Sequence, residues 1–108
     1  MNPEKVVLDE LSSYFNADEA NAVPHVLEAS LGRIAGESAA RMVRAVGRDQ
    51  RVALVELLNA LRNDRSHPLH ERIADRTMIE WSETEEEFAL FGRLIDAIIN
   101  DIERAPFS

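Results

Sequence analysis

The chain reads as an all-α protein, a compact bundle of about five helices, and three observations carry that prediction. Apolar residues recur at spacings of three and four along most of its length, and no stretch alternates apolar with polar residues as a half-buried strand does. Aromatic residues make up only 6% of the chain, so the core must come from Leu, Ile, Val and Ala, which suits helix-on-helix packing better than a sandwich or barrel. Helix-start signals recur at Asn2-Pro3, Pro24, Pro68 and Ser82-Glu83-Thr84-Glu85. At 108 residues there is room for one core and no second, so residues 1–108 form a single helical domain with a tail at 105–108.

Asn2 as N-cap and Pro3 at the first helical position open a helix over about residues 3–15, with Val7, Leu8, Leu11 and Phe15 on one face. Asn16-Ala17-Asp18 reads as a break. Glu19 to Val23 reads as a short helical turn, because Pro24 pushes Val23 out of the α region. From Pro24 a second helix extends to Val46. Leu27, Leu31, Ile34, Ser38, Met42 and Val46 keep one face in phase through Gly32 and Gly36, which favours continuity over two shorter helices. The glycines suggest close approach of another helix over Gly32, Gly36 and Ala40, and Gly47 makes a C-terminal stop.

Asp49 is placed to cap a third helix over about residues 50–62. Val52, Leu54, Val55, Leu57, Leu58 and Leu61 cover so wide an arc that this helix is expected at the centre, packed by helices 24–46 and 83–104. Asn63-Asp64-Arg65-Ser66 is a polar connection. Pro68 starts a fourth helix carrying Leu69, Ile73, Met78 and Ile79. Ser82 and Glu85 then form a capping box, and Phe88, Phe91, Leu94, Ile95, Ile98, Ile99 and Ile102 line one face of the last helix. The apolar surface of the three long helices exceeds what two shorter ones readily cover, which raises a homodimer.

The absence of cysteine excludes disulfides, thiolate metal ligands and cysteine nucleophiles, and fits a reducing cytoplasm. The amino terminus lacks the basic start and apolar run of a signal peptide, and no stretch approaches the ~18 apolar residues of a membrane span. Eleven arginines against one lysine suggest a GC-rich bacterial or phage genome.

Charge is segregated along the chain. Residues 33–65 hold seven arginines and four acids, a local +3, inside a chain of net charge −8. On a continuous second helix Arg33, Glu37, Arg41, Arg44 and Arg48 are spaced 4, 4, 3 and 4 and share one face. Such a face can dock an anionic surface, since arginine presents a planar fork of donors. It can equally be a solvated face, with Glu37 and Arg41 as an i,i+4 pair and the other arginines meeting acids on neighbouring helices. No aromatic residue interleaves the arginines and the whole molecule repels a polyanion, so nucleic acid is a poor partner. Glu83, Glu85 and Glu86 are accounted for by the helix dipole at a helix start.

His67, His70 and Glu71 lie near one helix start, but a zinc site needs further convergent ligands, so capping and surface roles are expected and no metal is assigned. The run His25-Val26-Leu27-Glu28-Ala29-Ser30 resembles the phosphorylated segment of histidine phosphotransfer domains at Leu27 and Ser30. It departs from that family at Glu28, in place of a lysine, and at Ala29, in place of a glycine. The resemblance implies phosphotransfer at His25.

No serine elbow, glycine-rich phosphate loop or histidine with an orienting acid is present, so catalytic residues and cofactors are not assigned and the chain is not read as an enzyme. By elimination the sequence points to a small cytoplasmic regulator, adaptor or neutralising protein of the immunity, antitoxin or phage-inhibitor kind. It would occlude a protein partner with an acidic surface through Arg33, Glu37, Arg41, Arg44 and Arg48. Phosphotransfer at His25 is the alternative, and nucleic-acid binding by the arginine stripe a second one.

Overall fold

A computed structural model describes residues 2–17, 24–77 and 84–104, with side chains over 2–12, 31–76 and 84–104. Among them are five α-helices and no strand: α1 (Pro3–Ala17), α2 (Pro24–Val46), α3 (Arg51–Asn63), α4 (Pro68–Thr77) and α5 (Glu85–Arg104). A 3-10 turn, Arg48–Gln50, links α2 to α3. The all-α bundle expected from the periodicity is therefore the observed fold. Among the described residues no helix is long and apolar enough to cross a membrane.

The first helix starts as expected. Asn2 Oδ1 accepts the Glu4 amide at 2.7 Å and the Asn2 carbonyl accepts the Val6 amide at 3.1 Å. It runs on to Ala17, so Asn16 and Ala17 continue the helix instead of breaking it. The turn expected over 19–23 lies outside the described residues, as do Met78, Ile79 and the tail at 105–108.

The second helix is continuous through both glycines. The close helix approach expected over them does not occur. A Cβ on Gly32 would meet no atom within 4 Å, and one on Gly36 would meet only Asp101 Oδ2, at 3.7 Å. The small residues that enter the core are Ala35 and Ala39 instead, one position off the glycine row. Gly47 ends the helix with φ 80°, its amide still bonded to the Val43 carbonyl at 3.0 Å.

The chain reverses at Gly47 so tightly that Asp49 falls inside the 3-10 turn. The N-cap position of α3 is Gln50, with no side-chain capping bond, which corrects the expected cap at Asp49. The last helix also starts later than expected. Thr84 Oγ1 accepts the Glu87 amide at 3.1 Å and the Thr84 carbonyl accepts the Phe88 amide at 3.0 Å, so the cap is Thr84. Ser82, the expected cap, lies outside the described residues.

The core forms around α5, whose Leu90, Phe91, Leu94, Ile95, Ile98, Ile99 and Ile102 are buried. Full burial of one such side chain contributes about 1.5–3 kcal/mol. α5 packs most extensively on α2 and then on α3, while α1 packs on α4, α2 and α3. α3 thus has neighbours on several sides, and Leu54, Leu58 and Leu61 are its buried row. Its wide apolar arc is only partly covered: Val55 and Leu57 are half-buried and Val52 is 71% exposed.

Side-chain pairs fix the relative directions of the helices. Arg62 near the end of α3 reaches Asp96 and lies over Gly92, while Val52 and Val55 lie beside Ile102 and Glu103, so α3 and α5 are antiparallel. Glu4 pairs with Arg72 at 2.6 Å and Asp9 with Arg76 at 2.7 Å, so α1 and α4 run parallel.

Candidate functional site

Helix period places Arg33, Glu37, Arg41 and Arg44 on the solvent side of α2, because Ile34, Ala35, Ser38, Ala39, Met42 and Val43 turn the other side inward. Arg48 does not continue that face. Gly47 leaves helical geometry at φ 80°, and Arg48 lies in the turn beyond it. The expected five-residue stripe is therefore four residues on one helix plus an exposed arginine at the corner that follows.

The four are not equivalent. Arg33 Nη1 lies 3.7 Å from Glu37 Oε1, with both side chains more than half exposed, so the pair is weak. Glu37 is thereby used towards Arg33 and not towards Arg41, as the spacing had suggested. Arg41 crosses to α1, where its Nε and Nη2 both lie 2.6 Å from Glu10 Oε1. The Glu10 side chain is only 13% exposed. Water competes less there, so this charge-assisted bond ties α2 to α1. Arg44 makes one long contact, Nε to the Ala40 carbonyl at 3.4 Å within its own helix. Among the described residues neither Arg44 nor Arg48 has a carboxylate partner. The face thus divides into a bound half and an open end at the α2–α3 corner.

The histidines near α4 separate in a similar way. Asp64 organises the connection, its Oδ1 accepting the Ser66 amide at 2.9 Å and its carbonyl the His67 amide at 3.1 Å. His67 then caps α4, its Nδ1 accepting the Leu69 amide at 3.1 Å. That is the capping role expected of it.

His70 departs from expectation: it is buried, not at the surface. Its Nε2 lies 2.9 Å from the Leu61 carbonyl, and its ring meets Phe88 and Phe91 edge-on at 5.5 and 5.3 Å. A carbonyl can only accept, so Nε2 carries the hydrogen. Burial holds the imidazole below its ordinary pKa, against the opposing pull of the Leu61 and Asp64 carbonyls. The sequence held a signal for this, since His70 lies three residues before Ile73 on the same helical face.

A hollow of about 380 Å³ lies beside these groups, lined among others by Arg65, Ser66, His67, His70, Glu71 and Asp75. It mixes both signs of charge. Among the described residues no group of three His, Cys, Asp or Glu side chains converges as metal ligands would. His25 belongs to the first turn of α2, and its imidazole lies outside the described side chains. Glu85, Glu86 and Glu87 occupy the first turn of α5, where the dipole favours them.

Comparison with protein-family models, with curated proteins and with solved structures gives no match.

Proposed function

We propose that the chain is a protein-binding regulator or adaptor of the neutralising kind, which occludes an acidic partner surface with the open end of its arginine face. Arg44 and Arg48 are the binding residues in this reading. Arg33 and Glu37 border them, and Arg41 supports the face from beneath through Glu10. A cysteine-free chain of this composition suits a bacterial or phage cytoplasm.

The observation that carries the reading is the division of the stripe. Two exposed guanidinium groups stand at one corner without a carboxylate partner among the described residues, while their neighbours on the same face are paired. Guanidinium forks of this kind bind carboxylates bidentately, and arginine is enriched at the energetic centre of protein interfaces.

The test is affinity capture from the native host with the wild-type chain and with Arg44→Glu/Arg48→Glu. A partner retained by the wild type should be lost by the double reversal while the circular dichroism spectrum stays unchanged. Equal capture by both chains removes this corner as the binding face.

A further inference from the structure

Val52 is the large apolar residue left exposed among the described residues, and it stands at the rim of an apolar groove. The groove, about 290 Å³, lies between the start of α3 and the end of α5 and is lined by Arg51, Val52, Val55, Glu56, Ile102 and Glu103. Nothing in the bundle requires a valine there. The core is closed without it, since Leu54, Leu58 and Leu61 carry the buried row of α3.

The order of residues along this face is self-complementary. Arg51-Val52-Ala53-Leu54-Val55-Glu56 reads as charge, apolar, two further residues, apolar, opposite charge. Consider a two-fold axis across the helix between Ala53 and Leu54. It sets Val52 of one chain against Val55 of its copy, and Arg51 against Glu56. Closed homodimers need such a patch, one in which each residue meets its complement on an identical surface. Antiparallel helices in contact match charges by the same logic, and Glu103 adds a second carboxylate beside the groove.

We propose that this face binds a second copy of the chain, with two α3 helices packed antiparallel and each Val52 seated in the groove of the other. Neither Arg44 nor Arg48 lines the groove, so the inference does not depend on the proposed function. One helix pair buries less than the ~1,600 Å² of a standard interface, so the dimer is weak and reversible, with a dissociation constant in the micromolar range.

The experiment is sedimentation equilibrium from about 1 μM to about 500 μM, a span that brackets micromolar affinity. The wild type should pass from one chain mass to two. Val52→Asp should raise the dissociation constant roughly tenfold or more, with Val52→Ser as a milder second variant. Arg51→Glu and Glu56→Arg each set like charges opposite one another and should weaken the dimer, whereas the double exchange Arg51→Glu/Glu56→Arg should restore it. Circular dichroism checks that each variant is folded. A wild type that stays monomeric over the whole range, or a dimer indifferent to Val52, overturns the proposal. Single exchanges that the double exchange does not rescue overturn the antiparallel pairing.

Discussion

The imidazole of His70 donates to the Leu61 carbonyl in the last turn of α3, where the helix dipole and the carbonyl both favour a positive charge. The same ring lies edge-on to Phe88 and Phe91, where a charge loses its hydration. Burial wins, and the folded-state pKa lies below 6.5. The nearby Asp64 pulls the other way and His67 reinforces the depression. A base whose pKa is lower in the folded chain binds fewer protons when folded. Its contribution to stability is therefore complete above 6.5 and is lost as pH falls through the folded-state value. Urea unfolding between about pH 8 and pH 5 should show stability falling below 6.5 in the wild type and falling less in His70→Gln. Equal slopes in the two chains would show that His70 is not the titrating group. Its position beside Leu69 was readable from sequence; that two phenylalanines eighteen or more residues away enclose it was not, because that contact exists only once α4 and α5 are packed.

At the scale of elements, Gly32 and Gly47 are the same residue under opposite constraints. Gly32 is exposed in the interior of α2 with open space where a Cβ would go, so it keeps only the entropic penalty of glycine in a helix. Gly32→Ala should stabilise the chain by about 0.5–1 kcal/mol. Gly47 has equally open surroundings but φ 80° and ψ 170°, a conformation almost confined to glycine. Gly47→Ala should therefore destabilise by roughly 1–3 kcal/mol. Thermal unfolding of the two variants measures both, and a shift of the same sign would contradict the backbone argument. The helices themselves were legible because a sustained 3.6-residue period has one structural solution. Their starts were less so. Ser82-Glu83-Thr84-Glu85 and Thr84-Glu85-Glu86-Glu87 both satisfy the capping-box pattern, and local chemistry does not choose between overlapping boxes. The cap expected at Asp49 failed for a related reason: the sharpness of the turn at Gly47 decides which residue the next helix begins on.

Over the whole molecule the charge segregation seen along the chain is partly undone by folding. The basic middle reaches into its acidic flanks through Arg41 to Glu10 and Arg62 to Asp96, and α1 and α4 are joined by Glu4–Arg72 and Asp9–Arg76. Sequence could supply the charges and their face, but not these pairings, since each partner lies more than thirty residues away. The pairing divides the arginine face into structural and available residues, and stability can tell them apart. Arg41→Glu sets a second carboxylate beside the nearly covered Glu10 and should cost about 1.5–3 kcal/mol, the range for a hydrogen bond to a charged group. Exchanging the pair, Glu10→Arg/Arg41→Glu, should recover most of that loss in a double-mutant cycle. Arg44→Glu and Arg48→Glu break no ion pair among the described residues and should each lie within about 0.5 kcal/mol of the wild type. If Arg41→Glu proves as harmless as Arg44→Glu, the tie between α1 and α2 is not structural and Arg41 rejoins the open face. If it destabilises as expected, lost binding in an Arg41 variant reports on folding, and only the Arg44–Arg48 corner gives a clean measure of recognition.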